Sequence, residues 1–211
     1  MSIPALGYIY LVASLVPVSV GLFRFRSIAR PMKILTLLCV LSVVTAVTEF
    51  VMGQLKINNR FIANNYVPLE VLLITLIYFL STRTSKYRKI LVGSFILFVV
   101  VWITDKVFFD IPNQTNSEMA LVSRLFLFYL SLLMISAASR DVTTRLSDKP
   151  IFWVAAGVIL YSTGTFIGAG LGTRLLNLNV SFFVIAWHIN WSLLIVANLL
   201  YTKALLCKSQ M

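Results

Sequence analysis

The chain has 211 residues, 59% of them hydrophobic and only 12% charged, and 18 Lys and Arg against 7 Asp and Glu leave a formal charge of +11. With a mean hydropathy of +0.92, this composition excludes a soluble domain, because a chain of this length cannot hide so much apolar surface from water. One His and two Cys also exclude a His-rich catalytic zinc site and a disulfide framework, so no metal or other cofactor is expected.

Seven apolar runs follow in order, at 3–23, 34–52, 66–81, 90–105, 119–138, 151–171 and 181–202. Each is close to the ~20 residues that an α-helix needs to cross about 30 Å of hydrocarbon. They predict an all-α fold: a single seven-helix transmembrane domain spanning 1–211. The first run has only Met1 and Ser2 before Ile3 and no basic leader, so it is expected to be a retained helix, not a cleaved signal. The second holds Cys39 and ends near Thr48 and Glu49. At the start of the third, Asn65 is expected to cap the helix and Pro68 to fall in its first turn, just ahead of Glu70. The fourth ends at Asp105, and the following IPNQTNSE (111–118) reads as a turn in which Asn116 or Ser117 caps the fifth helix beside Glu118. Arg124 lies inside that fifth run. In the sixth, Gly164, Gly168 and Gly172 recur every four residues, after Gly157, and small residues so spaced let a second helix approach closely. That face suits packing within the bundle or a homo-oligomer seam.

Charge sets the expected orientation. The gaps after the first, third and fifth runs carry Arg24, Arg26, Arg30 and Lys33, then Arg83, Lys86, Arg88 and Lys89, then Arg140, Arg145 and Lys149, and Lys203 and Lys208 close the chain. Those thirteen of the 18 basic residues share one side. Lys56, Arg60, Lys106, Arg124 and Arg174 fall on the other, balanced by Glu49, Glu70, Asp105, Asp110 and Glu118, and Asp141 and Asp148 are the acids of the basic side. Short Lys/Arg-rich loops stay cytoplasmic, so the N-terminus is expected outside and the C-terminus inside the bacterial cytoplasmic membrane. The basic excess is explained by topology and by contact with anionic head groups, and no nucleic-acid partner is expected.

Ionisable side chains within hydrocarbon are costly and mark functional positions. At a rise of about 1.5 Å per residue, Glu70, Arg124 and His188 lie roughly 7 to 10 Å below the outer ends of their helices. Glu49 reaches the same level. These residues are expected to line an outward-facing polar pocket, with Glu70 and Arg124 as an ion pair and Tyr66, Trp187 and Trp191 as aromatic walls. His188, Trp191, Ser192 and Ile195 share one helix face, from which Asn190 points away and, like Asn198, is free to bond a neighbouring helix. The chain lacks GxSxG and Walker loops. Three-His ceramidase chemistry is excluded by the single His, and a retinal Schiff base by the position of Lys203 at the helix end. No pair of broken helices marks an inverted-repeat transporter.

The segments NNYVPLEVLLITLIYF (64–79), KPIFWVAAGVILYSTGTFI (149–167) and AWHINWSLLIVANLLYTK (186–203) resemble an uncharacterised family of small bacterial seven-helix integral membrane proteins. The resemblance implies the seven-helix fold. Pro68 and Glu70, after a helix pair that begins GYIYLV and ends TEF, are also similar to the PxEE or PxED motif of bacterial membrane lycopene cyclases, although Val71 stands at the second acid. That likeness implies an intramembrane acid at Glu70 acting on an isoprenoid. The residues themselves point first to a sensor-like or accessory module that binds a small molecule or lipid and docks a cytoplasmic protein through its basic loops. An intramembrane enzyme and a small transporter or channel are the alternatives.

Overall fold

A computed structural model describes residues 5–55, 57, 60–108, 117–140, 144–170 and 180–207. It contains seven long helices: α1 (Ala5–Phe23), α2 (Arg30–Gln54), α3 (Arg60–Ser81), α4 (Ser85–Phe108), α5 (Ser117–Ser139), α6 (Pro150–Thr165) and α7 (Val180–Leu206). All seven, α6 together with the turn that continues it to Gly168, are long and apolar enough to cross a membrane, and no strand occurs among the described residues. A 3₁₀ turn at Leu146–Asp148 precedes α6, and a wide π-type turn at Phe166–Gly170 continues it. Lys56, Asp110, Asn116, Asp141, Gly172, Arg174 and Lys208 lie outside the described residues, as do the side chains of Ser117 and Glu118.

Most helices extend beyond their apolar runs and take in the flanking charges. Long basic side chains allow this, since their stems cover apolar surface while their heads reach the interface. α2 begins at Arg30 because Pro31, which lacks an N–H, is accommodated in a first turn where that donor has no partner. α3 departs furthest from expectation. It starts at Arg60, so Asn65 does not cap it but donates from Nδ2 to the Phe61 carbonyl at 2.8 Å. Pro68 accordingly lies in the helix interior, where it removes the N–H that would bond the Asn64 carbonyl.

The helices form a ring in the order α1, α2, α3, α5, α6, α7, with α7 packed on both α6 and α1. α4 sits outside the ring against α3 and α5, anchored in part by Phe98 stacked on Phe126 at 5.1 Å. Val71, Ile74, Ile77 and Tyr78 of α3 and Leu127, Leu130 and Met134 of α5 belong to the buried core, where Tyr78 Oη and Ser131 Oγ lie 2.7 Å apart. Val12, Val44, Leu97, Leu125 and Leu199 are exposed. Such outward apolar side chains belong in lipid, which is as apolar as they are.

Glycines set the α6–α7 approach. A Cβ on Gly157 would lie 2.5 Å from Cε1 of Tyr201, and one on Gly164 or Gly168 would lie 3.1 or 2.9 Å from Asn190. Gly157, Gly164 and Gly168 are therefore covered by α7 within the chain. Cys39 is buried and Cys207 half-buried, and both are free thiols.

Because the helices alternate, the loops after α1, α3 and α5 and the chain end after α7 share one end of the bundle. There three basic side chains close helix C-termini. Arg24 Nη1 donates to the Leu205 carbonyl at 2.7 Å, Arg88 Nε to Thr82 at 2.8 Å and Lys149 Nζ to Ala138 at 2.8 Å. Each satisfies a carbonyl in the last turn of a helix or, for Thr82, just past it, and places positive charge at the negative end of a helix dipole.

Candidate functional site

A cavity of about 450 Å³ occupies the opposite end of the ring. Every helix except α4 contributes to its wall. α1 supplies Tyr10, α2 supplies Ser42 and Glu49, and α3 supplies Asn64 and Tyr66. Arg124 comes from α5, Tyr161 and Thr165 from α6, and Trp187, Asn190 and Trp191 from α7. Deeper in the bundle a chamber of about 30 Å³ is bounded by Glu70, Tyr10, Tyr66, Tyr161 and Tyr201. A space of that size accommodates about one or two water molecules.

The two spaces meet at a buried ion pair. Arg124 Nη1 donates to Glu70 Oε2 at 2.6 Å, with side-chain exposures of 7% and 3%. The guanidinium carbon also stands 4.7 Å from the centre of the Tyr161 ring, an attractive cation–π placement. Tyr10, Ser42, Tyr66 and Tyr161 line the same small chamber as Glu70. Five helices, α1, α2, α3, α5 and α6, thus join one polar cluster in the apolar interior. Arg124 Nε, Trp187 Nε1 and Asn190 Oδ1 are buried without a hydrogen-bond partner in the protein.

The structure brings together Glu49, Tyr66, Glu70, Arg124, Trp187 and Trp191. Thr48 Oγ1 bonds the Val44 carbonyl of its own helix, and Asp105 lies on α4, outside the ring. His188 is not brought to either space. Its Nδ1 lies 2.7 Å from the Val184 carbonyl one turn back, and its ring packs edge-on against Trp191 at 5.9 Å. The inward stripe of α7 is instead Trp187, Asn190, Trp191 and Leu194, so Asn190, expected to point away, is buried at the wall. Asn198 Nδ2 bonds the Leu194 carbonyl of its own helix at 2.9 Å.

Tyr10, Ser42, Tyr161 and Asn190 are the residues that sequence reasoning missed. For Asn190 a signal existed: Trp187, Asn190, Trp191 and Leu194 have the i, i+3, i+4, i+7 spacing of one face. Chemically, the site offers a neutralised charge pair, tyrosine hydroxyls and aromatic walls. A few placed polar groups among aromatic walls are chemically able to orient a mostly apolar molecule. Among the described residues no group of three or more His, Cys, Asp or Glu is placed to hold a metal. Comparison with family models, curated proteins and solved structures found no match.

Proposed function

We propose that this is a multi-pass protein of the bacterial cytoplasmic membrane, inserted with its N-terminus outside, whose six-helix cavity opens outward and binds a small molecule or lipid. It acts as a sensor-like or accessory module, and its basic loops dock a cytoplasmic partner. The observation that carries the reading is the cavity of about 450 Å³ with the Glu70–Arg124 pair beside it. A volume in the range of small-molecule pockets, assembled from six helices, is a costly thing for a bundle to keep open. The three buried polar atoms without a protein partner lie on residues of its wall and add to that cost.

The test fills the cavity. Wild-type protein and Ala46→Trp, which adds bulk at a wall residue, are extracted in mild detergent and their bound small molecules and lipids compared by mass spectrometry. A co-purified molecule retained by wild type and lost from the folded variant is expected. The same molecules in both preparations would overturn the proposal.

A further inference from the structure

The aromatic side chains of the six-helix cavity set the shape of what it can hold. Tyr10, Phe50, Tyr66, Tyr161, Trp187 and Trp191 all line it. Trp187 and Trp191 stand 5.6 Å apart with their ring planes at 43°, and Tyr161 carries the Arg124 guanidinium over its ring. Walls of this kind favour a flat ring, which meets an aromatic side chain offset-stacked or edge-on.

The charges of the wall select against an ion. Arg124 is the sole Lys or Arg among the described wall residues, and Glu70 already neutralises it at 2.6 Å. An anion would therefore compete with a buried carboxylate. Glu49, the other charged residue of the wall, has an interaction of its own within the protein, and a cation would also meet the guanidinium. An uncharged ligand avoids both conflicts and the large cost of taking a lone charge out of water.

Three wall residues specify the polar group. Arg124 Nε and Trp187 Nε1 are N–H donors, Asn190 Oδ1 is an acceptor, and none of the three has a hydrogen-bond partner in the protein. Arg124 and Asn190 are only 6% and 3% exposed. The Asn190 amide is also held against α6, where a Cβ on Gly164 or Gly168 would come within 3.1 or 2.9 Å of it, so it is placed before any ligand arrives. Two open donors and one open acceptor call for two acceptor lone pairs and one donor. A hydroxyl has that inventory, whereas an ether or carbonyl lacks the donor.

We infer that the ligand of this cavity is an uncharged ring compound bearing a hydroxyl group, its ring against the aromatic wall and its hydroxyl answering the open hydrogen bonds of Arg124, Trp187 and Asn190. The inference rests on the reading of the cavity as a binding site and adds the chemical class.

The test follows the unfolding temperature of protein washed free of bound molecules, in neutral detergent, over concentration series of 2-naphthol, 2-methoxynaphthalene, naphthalene, 2-naphthoate and a naphthyl trimethylammonium salt. The five share one ring system and differ in polar group. 2-Naphthol is expected to bind about tenfold more tightly than each of the others, because they leave buried polar groups unanswered or bring in a charge. Trp187→Phe keeps a ring but removes the indole N–H, so it is expected to weaken 2-naphthol several-fold and leave naphthalene unchanged. Ala46→Trp is expected to abolish the preference for 2-naphthol by filling the space. Equal affinities for 2-naphthol, its methyl ether and naphthalene, all lost in Ala46→Trp, would overturn the hydroxyl assignment while leaving the cavity a binding site. Tighter binding of the carboxylate or the ammonium salt would overturn the uncharged class. A preference for 2-naphthol that persists in Ala46→Trp, or no binding of any of the five, would overturn the inference as well, and the comparison of co-purified molecules then decides separately whether the cavity binds anything.

Discussion

The Glu70–Arg124 pair sets two opposite charges in the interior of the bundle. Each partner is nearly inaccessible, and removing one leaves the other charge in a medium of low dielectric constant. Arg124→Ala is therefore expected to destabilise the protein by about 3–5 kcal/mol, whereas Glu70→Leu combined with Arg124→Met recovers most of the loss. Unfolding in mixed micelles, compared across the single and double variants, measures the difference. Equal losses in both would mean that the pair contributes little beyond its packing. Glu70 and Arg124 were legible as partners from their depth in separate apolar runs. Tyr161 was not, since a tyrosine in an apolar run gives no sign of whether its ring faces lipid or a guanidinium.

At the scale of helices, the α6–α7 seam shows how much depends on side chains that are absent. Gly157→Val would force a branched side chain into the Tyr201 ring, and overpacking of this kind costs about 1–3 kcal/mol. Gly93, on α4, has no atom within 4 Å of where a Cβ would stand, so Gly93→Val serves as the control and should unfold close to wild type. A thermal unfolding series in detergent would show whether the two sites differ in this direction. The seven helices were readable because their apolar runs are separated by charge. Their rotation about their own axes was not, because a helix bathed in lipid is apolar on every side and its inward face carries no distinguishing stripe. The misplacement of His188 and Asn190 follows from this, as neighbouring positions on α7 differ by about 100° and sequence offers little to choose between them.

For the whole molecule, the ring of six helices with α4 outside could not be read from an alternating series of spans, which fixes only which ends lie together. The orientation of that ring in the membrane is open to direct test. With Cys39 and Cys207 replaced by Ala, a cysteine introduced at Leu55 is expected to react with a membrane-impermeant thiol reagent on intact cells, and one introduced at Phe25 to react only after lysis. Both native positions are exposed and lie at opposite ends of the bundle. The reverse labelling pattern would invert the proposed topology and place the cavity on the cytoplasmic side.

The capping bonds of Arg24, Arg88 and Lys149 tie insertion to architecture. These are among the charges an experimenter would strip to turn the protein over in the bilayer, yet they also stitch the last carbonyls of α7, α3 and α5. Engineering that reverses the direction of insertion thus also unpicks three helix ends. An evolving sequence faces the same constraint: a change of sidedness would require these closures to be rebuilt with other residues.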